Sequence, residues 1–74
     1  MKAYKLEEVV RNKAREKGIS LYGSHNDLLR DIKKGMESGE LTSEEQIIEK
    51  LKTHKDFRLN LGREDFEEII KNLD

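Results

Sequence analysis

The sequence contains no cysteine, no proline and no tryptophan, and its only aromatic residues are two tyrosines and two phenylalanines. Without cysteine, a disulfide framework, a thiolate metal site and a thiol nucleophile are all excluded. No apolar run approaches the roughly 20 residues of a membrane-spanning helix, and the first residues lack an apolar stretch followed by a small-residue cleavage site. We therefore expect a soluble, cytoplasmic protein that is stabilised by side-chain packing and does not associate with a membrane.

Charge is abundant but balanced, because 42% of the 74 residues are charged and the formal net charge is −1. Leucine, isoleucine, valine and phenylalanine together account for 19 residues, which exceeds the fraction of about 20% below which disorder is expected. A chain of this length has room for one small core. The sequence thus predicts one folded domain spanning residues 1–74.

Helical periodicity and end signals indicate two helices in the first half of the chain. The first runs from about Ala3 to Lys17 and ends at Gly18, and the second begins with Ser24 as its N-cap and ends near Gly39. A glycine on the inward face of the second helix, Gly35, predicts that another backbone segment approaches closely there. The apolar faces consist of Leu6, Val9, Val10 and Ala14 in the first helix and Leu28, Leu29, Ile32 and Met36 in the second.

The second half of the chain has a similar order of segments. Either Thr42 with Glu45 or Ser43 with Gln46 forms a capping box that starts a third helix, which fades near Lys55. The alternation of Phe57, Leu59 and Leu61 with polar residues predicts a short extended segment. Gly62 then caps a fourth helix, and Leu61 and Phe66 are spaced as a hydrophobic staple across its start. The inward residues are Ile47, Ile48 and Leu51 in the third helix and Phe66, Ile69, Ile70 and Leu73 in the fourth.

These features predict an all-α fold, a compact domain of about four helices arranged as two helix-loop-helix halves. The two short extended segments, one around Ile19 and Leu21 and one from Phe57 to Leu61, are candidates for a minimal two-stranded pairing. The residues that we expect in the core include Ile32, Leu51, Phe66 and Ile70.

Most charges follow the helix dipoles, with acidic residues near predicted helix starts and basic residues near helix ends. The exception is a cation cluster in the second half of the first helix, Arg11, Lys13, Arg15 and Lys17, which is the candidate binding site. Lys13 and Lys17 fall within the apolar stripe of this helix. Either their stems cover the edge of the core, which we favour, or this half of the helix presents cations to a partner.

A nucleic-acid interface would use the cation cluster for phosphates and insert the third helix into the major groove. That helix begins with Ser43, Glu44 and Glu45, and the two glutamates would repel phosphates. The stretch from Glu37 to Leu51, about a fifth of the chain, resembles a run near the C-terminus of some bacterial antitoxins, in which a glycine is followed by a serine and paired glutamates. The resemblance implies a regulator that binds nucleic acid, although no ribbon-helix-helix strand is present.

Neither metal binding nor catalysis is predicted. His25 and His54 each lack a second nitrogen ligand within one helical turn, so a structural role is expected and no zinc site is predicted. Paired helix-loop-helix units and the Leu61-x-x-x-Asp65-Phe66 stretch resemble a two-hand calcium protein. Counted back from Asp65 as the last ligand, the first, third and fifth positions carry His54, Asp56 and Arg58, and Leu59 replaces the central glycine, so no calcium site is predicted. Ser24 with His25 is the only conceivable serine-histidine pair, and adjacent side chains in a helix point apart. The five glycines are dispersed, so no phosphate-binding loop exists.

The sequence therefore favours a non-enzymatic interaction or regulatory domain that uses no cofactor and binds another protein through a helix face or groove. The alternatives are a nucleic-acid-associated or antitoxin-like regulator that uses the cation cluster, and a structural homodimer.

Overall fold

The computed structural model describes all residues from Met1 to Asp74 and contains helices and turns but no strand. The all-α prediction is confirmed. A 3₁₀ turn at Ala3–Lys5 leads into five α-helices: α1 (Leu6–Glu16), α2 (Gly23–Ser38), α3 (Glu44–Leu51), α4 (Lys55–Asn60) and α5 (Arg63–Asn72). The predicted two-stranded pairing does not form. None of the five α-helices is both long and apolar enough to cross a membrane.

Helix α1 packs against both α2 and α5. Its predicted apolar face is correct: Leu6, Val10 and Ala14 are buried, and Val9 packs against the core from its edge. Gly18 follows the helix with a φ of +71°, a left-handed conformation that favours glycine. The sequence signals therefore located both the face and the end of this helix.

Helix α2 begins one residue before the predicted cap. Tyr22 occupies the N-cap position, and its backbone N–H donates to Nδ1 of His25, three residues later. The prediction of Ser24 as the N-cap is wrong, because the serine lies inside the first turn and its hydroxyl contacts His54 instead. The helix ends at Gly39, where φ is +87°.

Gly35 accounts for how the α2–α3 connection packs. The Leu41 backbone N–H donates to the Gly35 carbonyl over 3.0 Å. A β-carbon at position 35 would lie 2.8 Å from Cγ and Cδ1 of Leu41. A close approach at Gly35 is present, but the group that occupies the space is the Leu41 side chain and not the backbone that we predicted.

Ser43 and Gln46 form the capping box of α3, so the second of the two predicted pairs is the one that forms. The helix ends at Leu51, four residues before the predicted end, and α4 follows almost at once.

The extended segment predicted for Phe57 to Leu61 is wrong, because these residues belong to or follow α4. Phe57 and Leu61 are four residues apart, so one helical face buries both, while Leu59 remains 65% exposed. A pair at this separation fits the helical period as well as the strand period. His54 favours the helix over the strand, because its Nδ1 accepts the Asp56 backbone N–H and so caps the start of α4.

Helix α5 begins after Gly62, as predicted, and Leu61 and Phe66 are both buried across its start. The core cluster draws residues from every helix, and the four residues that we expected there are all at most 3% exposed. The cluster comprises Leu6, Val10, Leu29, Ile32, Ile47, Leu51, Phe57, Leu61, Phe66, Ile69, Ile70 and Leu73.

Candidate functional site

Lys13, in the middle of the predicted cation cluster, is buried between α1 and α5. Its side chain is only 7% exposed, and Nζ lies 2.9 Å from Oε2 of Glu16 and 2.8 Å from Oε2 of Glu68. These hydrogen bonds, with Glu68 as the larger contributor, raise the pKa of Lys13 above its ordinary value. Lys13 therefore joins two helices, and little of its side chain is exposed.

The other three cations of the cluster differ in their surroundings. Lys17 pairs with Asp65 at 3.3 Å. Arg11 pairs with Glu7 at 2.9 Å and also donates to the Asn26 side chain. Arg15 is exposed and makes no ion pair. The structure thus separates the four predicted site residues into three that are neutralised within the chain and one that is not.

A groove of about 560 Å³ lies between α3 and α5. Ile48 is its partly exposed apolar residue, and the buried Phe66 and Ile70 form its floor. Lys52 reaches over this floor, with Nζ 5.5 Å from the centre of the Phe66 ring. The rim carries charges of both signs, from Glu44, Glu45, Lys52, Arg63, Glu67, Lys71 and Asp74.

A second cluster, which we call the histidine cluster, consists of Tyr22, Ser24, His25, His54 and Asp56. It forms where the starts of α2 and α4 meet. The two imidazole rings stack with their centroids 3.7 Å apart and an interplanar angle of 21°. The Tyr22 hydroxyl donates to Oδ2 of Asp56 over 3.0 Å.

Within this cluster His25 is fully buried. Its Nδ1 accepts the Tyr22 backbone N–H, so the ring proton resides on Nε2. Burial lowers the pKa of His25 below its ordinary value, and the neighbouring His54 lowers it further. The ring is consequently neutral near pH 7.

Ser24 and His54 are 2.9 Å apart, between Oγ and Nε2, which is the distance of a nucleophile and its base. A general base must accept the hydroxyl proton at an unprotonated nitrogen. Nδ1 of His54 already accepts the Asp56 N–H. The ring proton is therefore on Nε2, which donates a hydrogen bond to the serine oxygen. This arrangement favours a structural hydrogen bond over an activated nucleophile.

Sequence reasoning did not bring the two histidines together. His25 and His54 are separated by α2, α3 and the turns between them, and only the packing of these helices creates the cluster. One signal was present in the sequence: both histidines lie at helix starts, where a ring nitrogen can take up a free backbone N–H. That signal indicates capping, but it does not indicate that the two starts converge.

No protein-family model matches this sequence, and no curated protein and no solved structure matches it either. The fold and the geometry of these sites are therefore the basis for inferring function.

Proposed function

We propose that this protein is a non-enzymatic interaction domain that binds an amphipathic helix of a partner protein in the groove between α3 and α5. The observation that carries the proposal is one concave surface in which the partly exposed Ile48 lies beside a buried floor of Phe66 and Ile70, within a rim of charges of both signs. Interfaces of moderate affinity have this organisation, with an apolar centre and a polar edge.

Movement of the Lys52 side chain would open the groove. Its ammonium group covers the face of the Phe66 ring, and a lysine stem is long and flexible enough to swing aside. An apolar side chain of the partner would then take the position over Phe66 and Ile48, and a partner carboxylate would pair with Lys52.

The charges on the rim of the groove indicate which charges the partner helix should carry. Glu44 and Glu45 are exposed and make no ion pair, and Lys71 is likewise exposed on the opposite helix. A helix with apolar residues at i and i+4, flanked by basic residues on one side and acidic residues on the other, complements this surface.

Selection from a displayed library of amphipathic helical peptides tests the proposal. Affinities of an enriched peptide are then measured by fluorescence anisotropy for the parent chain and for Ile48→Gln. We expect Ile48→Gln to weaken binding by about tenfold or more, because it removes an apolar contact at the centre of the groove.

Leu59→Gln is the matched control, since Leu59 is an exposed apolar residue of α4 outside the groove. Equal effects of the two substitutions, or a library that yields no peptide, would contradict the proposal. Concentration-dependent self-association that Ile48→Gln abolishes would replace it with the homodimer alternative.

A further inference from the structure

Three side chains with metal-ligating atoms converge in the histidine cluster. One ligand atom from each of His25, His54 and Asp56 lies within 4.8 Å of the others. The set is two imidazoles and one carboxylate, a combination that zinc and other divalent transition metals accept. Calcium and magnesium prefer oxygen ligands alone.

The geometry around His25 is unusual for a hydrogen-bonded pair. Its Nε2 is 3.0 Å from Oδ2 of Asp56, yet this buried nitrogen makes no hydrogen bond of good geometry. A buried polar atom without a partner is costly and rare. Ligands of one ion lie close together without bonding to each other, and the His25 and Asp56 atoms are placed in this way.

Other residues of the cluster contact two of these groups. The Tyr22 hydroxyl orients the Asp56 carboxylate, and Ser24 contacts the His54 ring. Such outer contacts fix the direction of ligands in established metal sites. Tyr22 and Ser24 are both exposed, so the cluster opens to solvent and an ion has a route of entry.

We infer that His25, His54 and Asp56 form a binding site for one divalent transition-metal ion of the zinc type, with water completing the coordination. This site is separate from the α3–α5 groove and does not depend on the proposed partner. His25 contributes Nε2 and Asp56 a carboxylate oxygen. The His54 ring stacks on His25 and turns out of this stack to direct one of its nitrogens at the ion, because imidazole nitrogens bind a metal in the plane of the ring.

Binding has a specific consequence at the start of α2. When the ion takes Nε2 of His25, the proton of the neutral ring moves to Nδ1, which then no longer accepts the Tyr22 N–H. The 3.3 Å hydrogen bond between these atoms is lost, and the Tyr22 amide turns to water. The backbone amide of Tyr22 therefore reports occupancy of the site.

Titration of the full chain with ZnCl₂ near neutral pH, followed by calorimetry and by ¹⁵N NMR, tests this inference. We expect one equivalent of Zn²⁺ to bind, the Tyr22 amide resonance to shift, and the melting temperature to rise with Zn²⁺ concentration by mass action. Millimolar MgCl₂ should produce none of these changes.

The decisive variants are His54→Asn and Asp56→Asn, with Asp31→Asn as the matched control on the exposed face of α2. Asparagine is a favourable N-cap, so His54→Asn removes the ligand while the start of α4 stays capped. Both cluster variants should weaken Zn²⁺ binding by about tenfold or more, and the control should bind as the parent does.

Absence of Zn²⁺ binding in the parent, or unchanged binding in both His54→Asn and Asp56→Asn chains that circular dichroism shows to be folded, would overturn the inference. Equal loss of affinity in Asp31→Asn would place the ion elsewhere and would overturn it as well.

Discussion

Lys13 of α1 and Glu68 of α5 are joined by a 2.8 Å contact between Nζ and Oε2, although 55 residues separate them in the sequence. The lysine stem is buried while the glutamate remains about half exposed. Asp65 and Glu16 also lie within 4 Å of the same ammonium group. A residue that the sequence offered as a binding site thus links the first helix of the domain to the last.

Replacing Lys13 with methionine keeps most of the stem and removes the charge. We expect Lys13→Met to lower the free energy of unfolding by about 1 kcal/mol, because charge-assisted hydrogen bonds between the helices are lost. Urea denaturation measures the change. The exposed residue Lys34 provides the control, since Lys34→Met should stay within about 0.5 kcal/mol of the parent. A Lys13→Met chain as stable as the parent would show that this position contributes only its stem.

Asp65 predicts a dependence of stability on pH. The Gly62 backbone N–H, followed by Lys17 and Lys13, lowers the pKa of this carboxyl below its ordinary value of 3.8. The folded state therefore favours the charged form, and the resulting stability is present above pH 3.8 and lost as the pH falls through the lowered pKa.

Thermal melts of the parent and of Asp65→Asn across a pH series measure this contribution. The difference in melting temperature should be constant near neutral pH and should shrink as the pH falls below about 3.8. Glu64→Gln, one residue earlier and without an ion pair, is the control and should differ little from the parent. A difference for Asp65→Asn that persists undiminished in acid would contradict the assignment.

Gly35 and Gly23 lie in the same helix but in different surroundings. Gly35→Ala would force Leu41 to move, because the added carbon falls 2.8 Å from two of its side-chain atoms. We expect a net loss of about 1 kcal/mol, since overpacking outweighs the helix propensity that alanine adds. Nothing lies within 4 Å of the corresponding carbon at Gly23, so Gly23→Ala should be neutral in the same denaturation assay. The opposite order would refute this description of the α2–α3 turn.

The nucleic-acid alternative gives a further prediction. Because only Arg15 of the cation cluster lacks an ion pair and the start of α3 is acidic, we expect no duplex or single-stranded oligonucleotide binding at physiological salt. Fluorescence anisotropy of the parent and of a chain with Arg11→Gln and Arg15→Gln tests it. Micromolar binding that falls steeply with salt and disappears in the double variant would favour the nucleic-acid alternative.

Much of the fold could be predicted because its signals are local. Gly18 and Gly39 end helices, and the contact between Ser43 and Gln46 lies within one turn. The apolar stripes of α1 and α5 likewise follow from a period that neighbouring residues share. Each of these features depends on residues only a few positions apart.

The errors concern positions where a distant residue decides the outcome. Phe57 and Leu61 satisfy two periods at once, and the cap from His54 selects the helix. Ser24 is a favourable N-cap by type, but in the fold its hydroxyl contacts His54, and Tyr22 is the N-cap residue, with its backbone N–H donated to a ring nitrogen of His25. The histidine cluster exists only because α2 and α4 begin at the same place, which no local pattern encodes.

The central proposal is that a partner helix occupies the α3–α5 groove, and chemical-shift mapping tests it most directly. The ¹⁵N-labelled chain is titrated with the selected amphipathic peptide, and the amide shifts are followed residue by residue. The proposal predicts that the largest changes fall on Ile48, Lys52, Phe66 and Ile70, with little change at Arg15 or Leu59. Changes centred on the cation cluster, or spread evenly over the surface, would contradict it.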